Sequence, residues 1–114
     1  MSRSVNKCFF MGNMVKDPEI KDFESGSKLA EFSIGVTESF KNKNKEDVNR
    51  TEWIRLKCWG RLAEIAEEYL KKGMLIWVEC KFVTDSWDDK DGNKKYSSHF
   101  NVSSLQMLDK KSNG

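Results

Sequence analysis

Thr51-Glu52-Trp53-Ile54-Arg55-Leu56-Lys57-Cys58-Trp59 decides how the rest of the chain is read. Side chains on a β-strand alternate between faces. One face of this strand therefore carries Trp53, Arg55, Lys57 and Trp59, and the other Glu52, Ile54, Leu56 and Cys58. From Ile54 onward the second face is core. The first face sets two indoles and two cations in one row. A solvated strand face has cations but seldom a pair of tryptophans, and a core face has tryptophans without cations between them. Aromatic rings spaced by positive charge suit a polyanion with stackable bases, that is, single-stranded nucleic acid. A strand half-covered by a partner subunit, with its cations snorkelling at the rim, would use the same residues.

Upstream, residues 28–38 alternate Ala30, Phe32, Ile34 and Val36 against Glu31, Ser33, Gly35 and Thr37, the pattern of a half-buried strand. Residues 5–13 read as a first strand, in which Gly12 marks a bulge or a close approach of two backbones. Pro18, the one proline, implies a bend or an edge continuation. Residues 39–50 read as a polar loop, with Phe40 at its base either as a plug or as a stacking ring.

Downstream, Leu62, Ile65, Ala66, Tyr69 and Leu70 form the apolar stripe of a helix over Arg61–Lys72. Glu67 with Lys71 and Glu68 with Lys72 add i,i+4 pairs, and Gly73 is the stop. Residues 74–84 predict a strand with Ile76, Val78, Cys80 and Phe82 inward. Leu75 and Trp77 then point outward, large apolar groups that suggest a subunit interface. Trp87–Asn93 is a hairpin with Asp91-Gly92 at its tip. A last strand, Lys94–Leu108, sets Tyr96, Phe100 and Val102 opposite His99, read as a structural histidine. Three strands, a helix and two strands is an all-β order, that of a five-stranded OB-fold barrel with its helix between strands 3 and 4. One domain over 1–108 and a frayed stub over 109–114 account for the 114 residues.

Composition narrows the chemistry. Twenty Lys and Arg stand against 18 Asp and Glu, a net charge of only +2. The electrostatic argument must therefore rest on where the charge sits. No run is apolar and long enough to span a membrane, and Cys8–Met11 is too short for a signal-peptide core, which implies a cytoplasmic protein. Three cysteines without a CxxC pair and one histidine do not make a zinc site. The three thiols read as small hydrophobes in the reduced state. Aligning Gly92 with the sixth position of a calcium loop puts Trp87 at the first ligand place and Ser98 at the twelfth, so calcium fails. With no nucleophile–base set and no glycine-rich phosphate cradle, neither enzyme nor cofactor is expected.

These stretches resemble the bacterial and phage single-stranded DNA-binding proteins built on one OB-fold per chain. The resemblance rests on Ser2-Arg3-Ser4-Val5-Asn6-Lys7, Gly12-Asn13, Lys16-Asp17-Pro18-Glu19, Thr51-Glu52-Trp53, Gly60-Arg61-Leu62-Ala63-Glu64, Glu68–Gly73, Trp87 with Asp91-Gly92, and Gln106-Met107-Leu108. It covers residues 2–108 in colinear order. It implies a homotetramer that wraps single-stranded DNA without sequence preference, in the service of replication, recombination and repair. It also implies stacking on Phe40, Trp53, Trp59 and Trp87, and phosphate contacts from Arg3, Lys7, Arg55 and Arg61. Ile54 falls where the family touches its neighbouring subunits, so it joins Leu75 and Trp77 as an expected interface residue. Lys57 has no family counterpart.

Departures from the family qualify that expectation. Val83-Thr84-Asp85-Ser86 stands where the family carries several cations. The acidic tip by which the family recruits replication and repair enzymes is not part of this sequence. Asp85 and the hairpin acids Asp88, Asp89 and Asp91 repel phosphate, which favours an alternative: a diverged OB-fold paralogue acting as a protein-interaction module of the primosomal type.

Overall fold

The alternating stretches on either side of residue 45 fold into one long ribbon. A computed structural model describes residues 3–108, so the stub expected at 109–114 lies outside the described residues. Strand β3 (Lys28–Lys41) pairs antiparallel with β4 (Asp47–Trp59) in unbroken register from Leu29–Trp59 to Lys41–Asp47. The polar loop expected at 39–50 is therefore mostly ladder. Its polar residues pair across the strands: Thr37 with Thr51 at 2.9 Å, Ser39 Oγ donating to Asn49 Oδ1 at 2.7 Å, and Lys41 Nζ donating to Asp47 Oδ1 at 2.8 Å. The Asn42 side chain closes the tip by accepting from the backbone N–H groups of Asn44 and Glu46. Polarity suggested a loop because cross-strand pairing of polar residues has no apolar signature in one strand alone.

Three further strands close the barrel: β1 (Cys8–Met14), β5 (Leu75–Asp88) and β6 (Lys94–Met107). Around the ring, β1 pairs with β5, β5 with β6, and β6 runs parallel to β4 at Leu56–Phe100 and Lys57–Asn101. β3 returns to β1 through Asn13–Gly35 and Met14–Ile34. At that seam a Cβ on Gly12 would collide with the Gly35 carbonyl, the close approach its sequence position suggested. A short strand, β2 (Glu19–Asp22), adds to the outside of β3, the edge role set up by Pro18. Helix α1 (Arg61–Tyr69) lies between the third and fourth strands of the five-stranded barrel, as in an OB-fold. Inside are Ala30, Phe32 and Ile34 of β3, Leu56 and Cys58 of β4, and Ile76, Val78 and Cys80 of β5. Burial pushes the thiols of Cys58 and Cys80 up to about 12 and about 11, so both are inert hydrophobes at neutral pH.

Three details differ from the sequence reading, each for a local reason. The helix stops at Tyr69, and Leu70 is already extended (φ −79°, ψ 134°). Tertiary hydrogen bonds take over there: Asp17 accepts from the Lys72 N–H at 2.8 Å, and the Gly73 N–H donates to the Met14 carbonyl at 2.9 Å. Lys71 and Lys72 thus lie past the helix. Glu67 bonds Lys28 instead, and Tyr69 is exposed while Ala63 and Ala66 face the core. On β6, Glu79 pairs with Ser104 but Cys80 with Val102, so Ser103 is a bulge. Its inward set therefore switches from Phe100 and Val102 to Leu105 and Met107. Phe82, expected inside, is exposed where β5 runs past the start of β1, whose pairing begins at Cys8–Cys80, and its ring rests edge-on against Phe100 at 5.5 Å. No helix among the described residues is long and apolar enough to cross a membrane.

Candidate nucleic-acid interface

Alternation along β4 places Trp53, Arg55, Lys57 and Trp59 on the outside of the barrel, with Leu56 and Cys58 buried behind them. Directly opposite residues of an antiparallel pair share a face. Gly35, Ser33, Glu31 and Leu29 of β3 therefore flank that row in order. On its other side come Ser97, His99 and Asn101 of β6, and beyond them Val83, Asp85 and Trp87 of β5. Polar contacts join the four strands: Arg55 Nη1 donates to Ser97 Oγ at 3.4 Å, and Lys57 Nζ lies 3.8 Å from Asp85 Oδ2 and 3.9 Å from Glu31 Oε2. One continuous surface runs from Trp53 and Trp59 to Trp87. All three indoles are exposed, Trp53 at 66%.

Trp53 lies flat across a glycine. A Cβ built on Gly35 would come within 2.8 Å of the indole Cζ3, so only glycine leaves room for the ring to rest on the sheet. The glycine is thus part of the platform, and its meaning was invisible without the register that sets it opposite Trp53. Trp59 is held differently. Phe23, just past β2, stacks on it with ring centroids 5.9 Å apart at 25°. Phe23 was missed in the sequence because it sits in a turn with no periodic pattern around it.

A cleft of about 210 Å³ opens in the same surface, with Lys16, Arg55, Lys57, Glu31 and His99 among its walls. Its charges are mostly engaged. Glu31 bonds Lys21 at 2.9 Å, and that bond holds its carboxyl below the ordinary carboxylate range. Lys57 sits between Glu31 and Asp85, which makes it the anchor of this floor. His99 is buried under the surface, with Nδ1 3.3 Å from Asp85 Oδ2 and Nε2 3.1 Å from Asn101 Oδ1. Asp85, the acid that stood out at a position where cations are usual, is therefore turned onto Lys57 and His99. The hairpin acid Asp89 accepts from the backbone N–H groups of Asp91 and Asn93 and builds the turn. Among the described residues no group of three His, Cys, Asp or Glu could hold a metal ion.

The other expected contacts are dispersed. Arg3 and Arg61 are exposed, and neither has an ion-pair partner among the described residues. Arg61 opens α1, two residues beyond Trp59. Lys7 is paired with Glu79 at 3.3 Å. Phe40 is not a plug: it is exposed and faces Val48 across the ribbon. By alternation it lies on the opposite side of that ribbon from Trp53. Of the three expected interface residues, Ile54 is half-buried against the barrel's own core. Leu75 and Trp77 lie together outside β5, where Trp77 stacks on exposed Phe9 at 5.7 Å and pairs in register with exposed Met11. Phe9 and Met11 were not singled out, because Cys8-Phe9-Phe10-Met11 is apolar on both faces and gives no alternation to read.

Known proteins share this architecture and sequence. A Chlorobaculum tepidum protein called single-stranded DNA-binding protein 1 is 39% identical over 115 residues, covering 100% of this chain and 71% of that protein. A Xylella fastidiosa protein of the same name is 40% identical over 111 residues, covering 95% of this chain and 80% of the other. Among solved structures, a Plasmodium falciparum SSB complex with ssDNA superposes with a TM-score of 0.83 at 26% identity, over 96% of this chain and 99% of that one. A deletion mutant of the Thermus aquaticus single-stranded DNA binding protein shares the fold, with a TM-score of 0.82 at 24% identity, over 97% of this chain and 54% of that one. The model of the single-strand binding protein family matches residues 5–108, and the chain belongs to that family.

Proposed function

We propose that the protein binds single-stranded DNA without sequence preference, by stacking bases on Trp53, Trp59 and Trp87 while Arg55 neutralises phosphate. The observation that carries this is the continuous outer surface on which those four side chains lie, three exposed indoles with a cation between two of them. Stacking is sequence-tolerant because every base has a π-face, and charge adds affinity through counterion release. Arg3, Lys7 and Arg61 extend the phosphate path, and Phe40 takes a base where the strand passes around the ribbon. Lys57 acts from beneath, holding Asp85 away from the backbone of the DNA. The names of the relatives and the DNA bound in the Plasmodium complex support the same ligand.

Residues 1–108 form the binding domain, acting by association and not by catalysis, in replication, recombination and repair in the cytoplasm or nucleoid. The apolar surface of Phe9, Met11, Leu75 and Trp77 joins copies of the chain, with Ile54 as a further interface position, into a homotetramer. Light scattering after size exclusion, with and without an oligo-dT of several tens of nucleotides, tests both halves. A tetramer that takes up DNA supports the reading. A monomer, or an assembly that leaves the oligonucleotide free at low salt, overturns the corresponding half.

A further inference from the structure

We propose that Phe23 is a further base-stacking platform, which carries the single-stranded DNA past Trp59 and over the turn between β2 and β3. The inference rests on the DNA-binding reading above and adds a position to it. Lys21 of β2 pairs in register with Leu29 of β3, and Leu29 with Trp59 of β4, so alternation puts Phe23 on the outer surface beside the tryptophan row. One side of the Phe23 ring lies on the Trp59 indole. The ring is nonetheless 44% exposed.

Packing alone does not account for that exposure. Leu29 points to the same side, at the level of Trp59, and is buried. Phe23 instead leaves a ring open to water at the end of an aromatic row. Its backbone is fixed: the Phe23 N–H donates to the Ser27 carbonyl, and the Phe23 carbonyl accepts from the Gly26 N–H, both at 2.9 Å. A ring held this way loses little freedom when a base lands on it. The ligand is an unpaired nucleobase of any type.

The lysines of β2 and β3 that flank the platform are taken. Lys21 is bonded to Glu31, and Lys28 to Glu67 and Asp22. The platform therefore adds affinity without adding a phosphate contact, which sets it apart from Arg55.

The test is binding of a labelled oligo-dT, followed by anisotropy across a salt series, to the full chain and its variants. Phe23→Leu keeps an apolar side chain beside Trp59 and removes the ring. It should weaken binding about 5- to 20-fold, leave the salt slope unchanged, and do so equally in a Trp59→Leu background. Phe23→Tyr should bind within about twofold of the parent, since the π-face is kept. Phe23→Met serves the same purpose if leucine lowers the melting temperature. Parental affinity for Phe23→Leu beside a weakened Trp53→Ala overturns the platform and leaves the DNA reading standing. A Phe23→Leu effect that vanishes in the Trp59→Leu background also overturns it, because Phe23 would then act only by orienting the indole. If Trp53→Ala too binds as the parent does, the DNA reading itself falls.

Discussion

Two surfaces of this barrel expose large aromatic side chains, and they differ in what lies between the rings. On the β4 surface Trp53 and Trp59 are separated by Arg55 and Lys57, and each indole is supported from one side, by Gly35 or by Phe23. On the β1–β5 surface Phe9 stacks on Trp77, and Met11 stands opposite Trp77 in register. Lys7, a cation on that side, is spent on Glu79. Rings interspersed with cations offer faces to bases beside contacts for phosphate, whereas apolar groups with no cation between them offer a single apolar area, which suits another protein surface. Similar residues thus fit different partners because of their neighbours.

The largest effects should come from removing rings on the first surface. Trp53→Ala or Trp87→Ala should each cost roughly 1–3 kcal/mol of DNA affinity, read by oligo-dT titration, with the assembly mass unchanged in light scattering. The reciprocal change, Trp77→Glu, puts a charge into the apolar area. It should lower the assembly mass, at a cost of about 2 kcal/mol or more if Trp77 anchors the interface. If Trp77→Glu abolished DNA binding by isolated domains while the assembly survived, the division of labour between the surfaces would be reversed.

Gly35→Ala probes the support of a ring without touching the ring. Overpacking against the Trp53 indole should cost about 1–3 kcal/mol, shared between a lowered melting temperature and weakened DNA binding. Arg55→Gln should reduce the slope of log K against log salt by about 0.7, the loss of one phosphate contact, while Trp53→Ala leaves the slope unaltered.

The smallest effect concerns the floor of the groove. Glu31 is held below the ordinary carboxylate range by its bond to Lys21. A lowered folded-state value means that its stabilisation is complete above the unfolded carboxylate value and is lost as the pH falls through the lowered one. Glu31→Gln should therefore lower stability slightly at neutral pH, by less than ~1 kcal/mol, and that difference from the parent should vanish as the pH falls below about 4.5, flattening the acid limb of a melting-temperature profile.

Much of the barrel could be read from alternation because its strands have one wet and one dry face. Ala30, Phe32 and Ile34 and, on the next strand, Leu56 and Cys58 are buried as their spacing requires. The readings that failed are those where a second chain segment decides. The helix end at Tyr69 is set by Asp17 and Met14, far away in sequence. The 39–50 ribbon is set by polar pairs that neither strand reveals alone. The switch of inward residues along β6 comes from one unpaired residue, Ser103. In the candidate site, Trp53, Arg55 and Trp59 were legible as one face of one strand. Gly35 and Phe23 were not, since each matters only through the ring it meets across the sheet. Asp85 was legible as an anomaly, but its engagement by Lys57 and His99 needed the fold.

The central claim is that the indoles of the β4–β5 surface are where DNA lies. Intrinsic tryptophan emission reports on them directly, since Trp53, Trp59 and Trp87 are exposed and the fourth, Trp77, is half-buried on the other surface. Titration with oligo-dT at low salt should quench most of the emission to a saturating end point, reversibly on adding salt, and a Trp53→Ala, Trp59→Ala, Trp87→Ala triple variant, which keeps only Trp77, should lose nearly all of that quench. Saturating DNA that leaves the parent's emission unchanged, or a quench of parental size in the triple variant, would contradict it.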